Sequence, residues 1–301
     1  MIELASQWQR DAMARARACF IRACELDVAV RKPGNVSRAS AGHGMDAEMF
    51  VASALAAAGP LFQRAARVGE RIDAAVDATW AVAGCNTNLG IVLLVAPIAL
   101  AVERLSDASP PQTLRGAIEG VLADLDLPDS QAVYRAIARA RPGGLGSVPS
   151  QDVSAPPTID LRAAMRLAAH RDTIARQYCD GYATVFDLGL AALGTGFSLM
   201  PQSGSDEAQA RTAAAVQRLY LALLSRVADS HIVRVHGEGV AQTVMNAAQA
   251  WVSRQPSGAA LDADPEFAAW DAALKAARIN PGTTADLTVA TLLVAGLSGA
   301  P

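Results

Sequence analysis

Four short segments concentrate the polar side chains that could bind or transform a substrate. They are 31–38 together with His43 and Asp46, 84–90, 229–237, and 280–287. Three of them directly precede or open an apolar helical pattern. The amide groups at the start of a helix are unpaired and carry partial positive charge, so they suit phosphate or carboxylate oxygens. The pattern therefore favours a site for an anionic ligand.

The first segment places Arg31, Lys32 and Arg38 around a Pro-Gly turn. Such a charge run is usually a solvated face, but beside this turn it could also grip a polyphosphate, because Arg binds phosphate oxygens in a bidentate way. His43 and His231 stand out in a chain with four histidines. A loop histidine is usually structural, yet both lie in densely polar segments.

Two of the segments look like helix starts with additional polar groups. Asn86-Thr87-Asn88 offers more polar side chains than a single helix cap needs. A cap followed by a turn would account for these residues as well. In the last segment Thr283 or Thr284 caps a helix whose first turn holds Asp286. A first-turn Asp is usually a partner of the helix dipole, but beside bound phosphate it could hold Mg²⁺.

Motifs of several common catalytic sites are absent. The sequence has no GxGxxG, GxxxxGK[ST], GxSxG or HExxH motif. Its four cysteines form no CxxC pair, so we expect reduced thiols in place of a zinc site or a disulfide framework. The residues alone thus indicate a site for a polyanion, with Mg²⁺ as a candidate ion.

The elements that must position these residues are predicted to be helices. Hydrophobic residues make up 51% and aromatic ones 5%, and abundant Ala favours packed helices over strands. Apolar residues recur with helical spacing over 8–30, 46–68, 70–83, 88–104, 112–125, 129–140, 161–190, 208–228, 239–255, 265–278 and 284–297. Asp46 and Ser130 are candidate N-caps. We predict an all-α fold: one compact multi-helix bundle over 1–301 with polar active-site loops.

The Gly-, Pro- and Ser-rich stretch 141–158 is either a linker or a mobile loop over a site.

The net charge of −3 argues against a nucleic-acid binder. The longest apolar run, 89–102, is too short to span a bilayer, and the N-terminus has no signal-peptide core. We therefore expect a cytoplasmic protein without a membrane or nucleic-acid partner, and a homodimer is the default assembly.

Taken in order, the four segments resemble the triphosphoribosyl-dephospho-CoA synthase family over nearly the whole chain. The resemblance rests on Lys32-Pro33-Gly34, on Asn86-Thr87 with Gly90, and on Pro281-Gly282 with Asp286-Leu287. It implies an all-α transferase that moves the ribose 5-triphosphate of ATP to dephospho-CoA, with Mg²⁺ and release of adenine. The KPGNV and NTNLG forms look like a branch in archaea and methylotrophic bacteria that accompanies methanopterin-type cofactor genes. The acceptor is thus dephospho-CoA or a pterin-pathway intermediate.

The resemblance also implies roles for individual residues. Asp46 or Asp229 would stabilise the positive charge that develops on the sugar, and one of them or His43 would accept the proton of the acceptor hydroxyl. Asp286, with Asp229, would hold Mg²⁺. Phosphate and ribose oxygens would be bound by the remaining candidates: Lys32, Gly34, Asn35, Arg38, Asn86, Thr87, Asn88, His231, Arg234, Gly282, Thr283 and Thr284.

Two other functions fit the same residues. One is a different ATP-dependent step of methanopterin-type cofactor biosynthesis, which would release ADP or AMP in place of adenine. The other is a non-catalytic nucleotide-binding scaffold. Three carboxylates beside a polyanion argue against the scaffold, because affinity alone does not require them.

Overall fold

The computed structural model describes residues 2–105, 113–200, 205–254 and 261–298. Within these ranges the chain forms α-helices and one π-helix but no β-strand, which confirms the all-α prediction. The α-helices are α1 Ile2–Ala29, α2 Ala47–Leu61, α3 Val68–Ala83, α4 Leu89–Arg104, α5 Leu114–Ala123, α6 Leu127–Ala140, α7 Leu161–Ala168, α8 Thr173–Asp180, α9 Leu190–Leu193, α10 Asp206–Arg226, α11 Ser230–His236, α12 Glu238–Arg254, α13 Pro265–Ala276 and α14 Gly282–Ser298; the π-helix is Thr184–Gly189.

The helices fall into two compact units, which we describe separately. Unit 1 takes in residues 2–21 and 52–183, and unit 2 takes in 22–51 and 184–298. Two of the boundaries lie inside helices, because α1 and α2 each contribute to both units. The single domain over 1–301 stays a prediction.

Unit 1 is organised around α4, whose residues 89–99 are all buried. Pro97 interrupts the hydrogen bonding of this helix, since it has no N–H to donate to the carbonyl of Leu93. The hydroxyl of Tyr178 donates to that carbonyl at 2.6 Å, and Tyr182 donates to the carbonyl of Leu94 at 2.8 Å. Burial raises the pKa of both tyrosines, so both stay protonated donors. Tyr178 thus replaces a bond that the helix cannot make, and Tyr182 adds a bond to the next carbonyl.

The Gly-, Pro- and Ser-rich stretch 141–158 lies wholly within unit 1. The hydroxyl of Tyr134 in α6 donates to the carbonyl of Gln151 at 2.8 Å. The side chain of Gln151 in turn bonds the hydroxyl and the amide of Thr158 at 2.8 and 3.0 Å. The stretch is therefore fastened inside unit 1, and it is not a linker between the two units.

Unit 2 contains a core of aromatic and aliphatic side chains from α10, α12 and α13. Phe267 is fully buried and meets the ring of Trp251 edge-on, with centroids 5.0 Å apart. Trp270 stacks on the same Trp251 ring with centroids 6.3 Å apart. Burying rings of this size contributes much of the hydrophobic stabilisation of a small core. This core supports the loops that carry most of the candidate site residues.

Three details of the helix prediction were wrong. The predicted helix 161–190 is broken, because Asp172 caps a new helix through the amides of Ile174 and Ala175 and Gly181 ends it with a φ of +65°. Residues 230–236 form a helix, although the predicted helices leave these residues in a polar segment between them. Ser130 lies inside α6, whose N-cap is Asp126. The other predicted helices are present with shifted ends.

None of the helices in the described ranges is long and apolar enough to cross a membrane. All four cysteines are free thiols, as predicted. Cys19 and Cys24 are buried, whereas Cys85 and Cys179 are half-buried.

Candidate active site

The Pro33-Gly34 turn of unit 2 packs tightly against the segment that leads into α14. Gly34 has a φ of +80°, a conformation that side chains other than glycine rarely adopt. A Cβ atom there would lie 2.8 Å from Cδ of Pro281 and 2.9 Å from the carbonyl oxygen of Ile279. Gly34 is thus required both by its own conformation and by this close approach.

Lys32 is fully buried beside this turn. Its Nζ lies 3.1 Å from Oδ1 of Asp27 and 2.5 Å from Oδ1 of Asn35, and it sits 5.7 Å from the ring centre of Tyr220. Burial raises the pKa of Asp27, and the Lys32 ammonium opposes that shift. The lysine charge is therefore balanced by Asp27, and the ammonium orients Asn35. A direct contact with phosphate stays a prediction for Lys32.

Asn35 extends this network to the start of α14. Its Nδ2 donates to Oδ1 of Asn280 at 2.9 Å, and the carbonyl of Asn280 accepts from the amide of Gly282 at 2.8 Å. A Cβ atom on Gly282 would lie 3.6 Å from Nδ2 of Asn280 and 3.8 Å from Cγ of His231. The first residue of α14 is thus flanked by an amide and an imidazole, groups that can donate to an anion.

Asp229 fixes the start of α14 to the start of α11. One carboxylate oxygen accepts from the amides of His231 and Ile232 at 2.9 and 3.0 Å, and the other accepts from the amide and hydroxyl of Thr284 at 2.7 and 2.8 Å. Burial raises the pKa of this carboxyl, and the bonds from Thr284 and Ile232, together with the charge of Arg234, oppose the shift. Four bonds fill the accepting capacity of a carboxylate. The geometry favours a positioning role for Asp229, while its catalytic and metal-binding roles stay predictions.

The surroundings of His231 are positively charged. Burial, together with the charges of Arg234, His43 and His236, lowers its pKa from 6.5 to about 4. His231 is therefore neutral at neutral pH. Thr283 is buried in the first turn of α14, next to Gly282, the residue that faces His231. Cationic side chains beside a helix start are the arrangement that binds phosphate in many proteins.

His43, Asp46 and Arg38 lie in the loop between α1 and α2. Nε2 of His43 is 2.8 Å from the carbonyl oxygen of Gly34. Because a carbonyl only accepts, Nε2 carries the proton and Nδ1 is the nitrogen that can take one up. Asp46 is exposed and caps α2 through the amide of Met49 at 2.9 Å, as predicted. Arg38 is exposed and lies 3.9 Å from Glu48.

Asp286 lies in α14, close enough to α1 to influence Cys24. Burial raises the pKa of Cys24, and the charges of Asp27, Glu25 and Asp286 raise it further. In the described part of the chain no three His, Cys, Asp or Glu side chains form a group that could hold a metal ion. Mg²⁺ commonly takes one or two carboxylates and completes its shell with water and phosphate oxygens. Metal binding by Asp286 therefore stays a prediction.

Asn86, Thr87 and Asn88 belong to unit 1, at the start of α4. Oδ1 of Asn86 accepts from the amide of Leu89 at 3.1 Å, and Thr87 donates to the hydroxyl of Ser53 at 2.7 Å. Asn88 is buried, and its Nδ2 has no hydrogen-bond partner among the described residues. An unsatisfied buried amide is costly, so it marks a place where a ligand oxygen or a water molecule would be stabilising.

Sequence reasoning missed the partners that orient these residues. Tyr220 and Asp271 reach the Lys32–Asn35 turn from α10 and α13. Asp27 lies shortly before Lys32 in the sequence, and Asn280 lies in a segment already singled out. The hydroxyl of Tyr220 donates to the carbonyl of Pro33 at 2.9 Å. A mid-helix Asp or Tyr carries no local signal of such a role, because the contact depends on residues far away along the chain.

Comparisons with known proteins show the family of the chain and a solved structure with a similar fold. The family model of the ATP:dephospho-CoA triphosphoribosyl transferases matches residues 13–300. A crystal structure of an Archaeoglobus fulgidus protein, provisionally named triphosphoribosyl-dephospho-CoA synthase, is similar with a TM-score of 0.61 and 22% identity; the match covers 83% of this chain and 99% of that one. At this identity the likeness shows the fold alone. No curated protein sequence matched.

Proposed function

The chain belongs to the ATP:dephospho-CoA triphosphoribosyl transferase family, and from that premise we propose that unit 2 binds the triphosphate of ATP at the start of α14. The chain is an enzyme of the triphosphoribosyl-dephospho-CoA synthase type, a transferase that uses ATP as its substrate. The observation that carries the proposed site is the network from Lys32 through Asn35 and Asn280 to Gly282. It orders the side chains of Asn35 and Asn280 beside a helix start, where an anion is stabilised.

The reaction moves the ribose 5-triphosphate group from adenine to an acceptor hydroxyl. The bond between C1′ and the base breaks, a bond between C1′ and the acceptor oxygen forms, the hydroxyl proton is lost, and adenine leaves protonated. Positive charge develops on the sugar during this step, and a nearby carboxylate stabilises it. Asp46 is the candidate carboxylate, because it is exposed and its partner is a single amide in α2. Nδ1 of His43 is the candidate proton acceptor.

Mg²⁺ would neutralise part of the triphosphate charge, and Asp286 is the residue that would hold it. His231 and Arg234 would contact phosphate oxygens, and Thr283 would present its amide. The amide and hydroxyl of Thr284 donate to Asp229, so Thr284 would hold the first turn of α14 in place beside the phosphate. At the start of α4 in unit 1, Asn88 stays a separate candidate for binding a ligand oxygen, because its buried amide has no hydrogen-bond partner among the described residues. We propose dephospho-CoA as the acceptor and the cytoplasm as the location, where ATP is available.

The test is to incubate the purified protein with ATP and Mg²⁺, with and without dephospho-CoA, and to identify the products by mass spectrometry. Adenine and a triphosphoribosylated dephospho-CoA are expected, and chelation of the metal should abolish both. ADP or AMP would contradict ribosyl transfer. Adenine release only with a pterin-pathway acceptor would overturn dephospho-CoA as the substrate.

A matched pair of variants tests the binding site. Asn35→Ala should weaken ATP binding at least about tenfold, because truncation of an oriented polar side chain costs about 1.4 kcal/mol or more. Asn246→Ala is the control, since Asn246 lies exposed on α12 and bonds Gln242. Equal ATP affinity in the two variants would place the triphosphate elsewhere.

A further inference from the structure

A carboxylate in α13 reaches the loop that carries Lys32 and Asn35. Asp271 is fully buried, and its Oδ1 accepts from the backbone amide of Gly34 at 2.9 Å. Its other oxygen accepts from Nη1 of Arg31 at 3.2 Å. One side chain thus holds the residues on both sides of Lys32.

The same helix fastens the loop at a second point. Nζ of Lys275 lies 3.0 Å from Oδ1 of Asp271 and donates to the carbonyl of Ser40 at 2.9 Å. Desolvation by burial lowers the pKa of Lys275, the Asp271 carboxylate opposes this, and the charges of Lys32 and Arg31 lower it further. Three cations therefore gather around this part of the loop, and Asp271 offsets the charge of two of them.

We propose that Asp271 is a positioning residue for ATP binding, which it serves by fixing the Gly34 turn and thereby the direction of Lys32 and Asn35. The proposal rests on the triphosphate site proposed above. Asp271 does not need to touch the nucleotide. Its bond to the Gly34 amide holds a left-handed turn that brings Asn35 to Asn280, and the carbonyl of the same Gly34 accepts from His43.

The test compares three variants of the full chain. Asp271→Ala removes both the acceptor for the Gly34 amide and the charge. Asp271→Asn is the conservative variant, because an amide oxygen can still accept from Gly34. Asp264→Ala is the control on the same helix: Asp264 caps α13 through the amides of Glu266 and Phe267, so its loss destabilises α13 without a contact to the loop.

Two readouts separate positioning from general destabilisation. In Asp271→Ala we expect faster amide hydrogen exchange in the 33–40 segment, and a KM for ATP raised at least about tenfold with kcat changed less than about threefold. Asp271→Asn should have a KM for ATP between those of Asp271→Ala and the wild type. Asp264→Ala should lower the thermal midpoint but leave both the exchange of 33–40 and the KM for ATP at wild-type values.

The positioning role is overturned if Asp271→Ala keeps wild-type exchange in 33–40 or a wild-type KM for ATP. It is also overturned if Asp264→Ala raises the KM as much as Asp271→Ala does. Failure of the wild-type chain to bind ATP would instead contradict the proposed function. Hydrogen exchange would then decide by itself whether Asp271 orders the loop.

Discussion

Asp229 and Asp46 both cap helices, but they differ in burial and in the number of their hydrogen bonds. Asp229 is buried and accepts four bonds, whereas Asp46 is exposed and accepts one from Met49. A residue that holds two helix starts together should matter for stability, and an exposed carboxylate with one bond should be free to act on a substrate. The two residues can therefore be distinguished by experiment.

We predict opposite effects for the two Asp→Asn variants. Asp46→Asn should abolish turnover and leave the thermal midpoint nearly unchanged, because Asn caps a helix about as well as Asp. Asp229→Asn should lower the free energy of unfolding by about 1–3 kcal/mol, because the new NH₂ group faces donors and leaves them unpaired. Thermal denaturation and adenine release measure the two effects. A large stability loss in Asp46→Asn would show that its role is structural.

The depressed pKa of His231 predicts how stability depends on pH. Its pKa falls from 6.5 in the unfolded chain to about 4 in the folded one. The unfolded state therefore binds more protons between these values, so this contribution to stability is full above 6.5 and is lost as the pH falls towards 4. His231→Gln should lose less stability than wild type between about pH 7 and about pH 5, as followed by urea denaturation. Identical losses in the two proteins would contradict the assignment.

At the level of helices, α4 depends on side chains from α8 and from the residues just after it. Pro97 leaves the Leu93 carbonyl without its usual backbone donor, and Tyr178 supplies one. Tyr182 bonds the next carbonyl, Leu94, which retains the amide four residues on as a second donor. Only Tyr178 therefore replaces a missing backbone hydrogen bond. Tyr182 adds a second bond to a carbonyl that already has a backbone donor.

We predict that Tyr178→Phe lowers the free energy of unfolding by about 1–3 kcal/mol, because a buried carbonyl loses its donor. Tyr182→Phe should cost less, about 0.5–1.5 kcal/mol, the usual contribution of one hydrogen bond. Adding Pro97→Ala to Tyr178→Phe should restore an amide donor and reduce the loss, which a double-mutant cycle in urea would measure. Equal costs for the two tyrosines, with no rescue, would contradict this account.

The helices could be predicted because their signals are local. Apolar spacing and the cap at Asp46 are visible in a short window, and most helices were found within a few residues. The break within 161–190 was missed because Asp172 and Gly181 act against a continuous apolar pattern. Lys32 and Asn35 were recognised by type, but their orientation depends on Asp271, which lies far along the chain and carries no motif.

For the whole molecule, the two units do not correspond to two continuous stretches of chain. Residues 22–51 belong to the unit that is otherwise built from 184–298. Within that unit the carbonyls of Pro33 and Arg31 accept from the side chains of Tyr220 and Gln217 at 2.9 and 3.2 Å. Gln217 also bonds Asp262 and Leu261, whereas the buried hydroxyl of Tyr220 pairs with the carbonyl of Pro33. Loss of the earlier segment would leave that hydroxyl unpaired, which is costly in a buried position.

We therefore predict that a fragment of residues 184–301 fails to form the native core alone. Its near-ultraviolet circular dichroism, which reports on the packed Trp251 and Trp270 rings, should be weak. Addition of a peptide of residues 22–51 should strengthen it, whereas a scrambled peptide of the same composition should not. A native-like spectrum from the fragment alone would show that unit 2 folds without the earlier segment.

The division of the chain also sets an order for events during synthesis. Translation proceeds from the N-terminus, so residues 22–51 leave the ribosome long before the segment that surrounds them in unit 2 has been made. All residues of unit 1 have been synthesised once residue 183 has emerged. The loop with Lys32 cannot pack until α10, α13 and α14 have also been synthesised. Until then the second half of α1 and the residues just after it expose apolar side chains such as Val28 and Val30 that the finished protein buries. Such waiting segments are the parts of a nascent chain that aggregate or recruit chaperones.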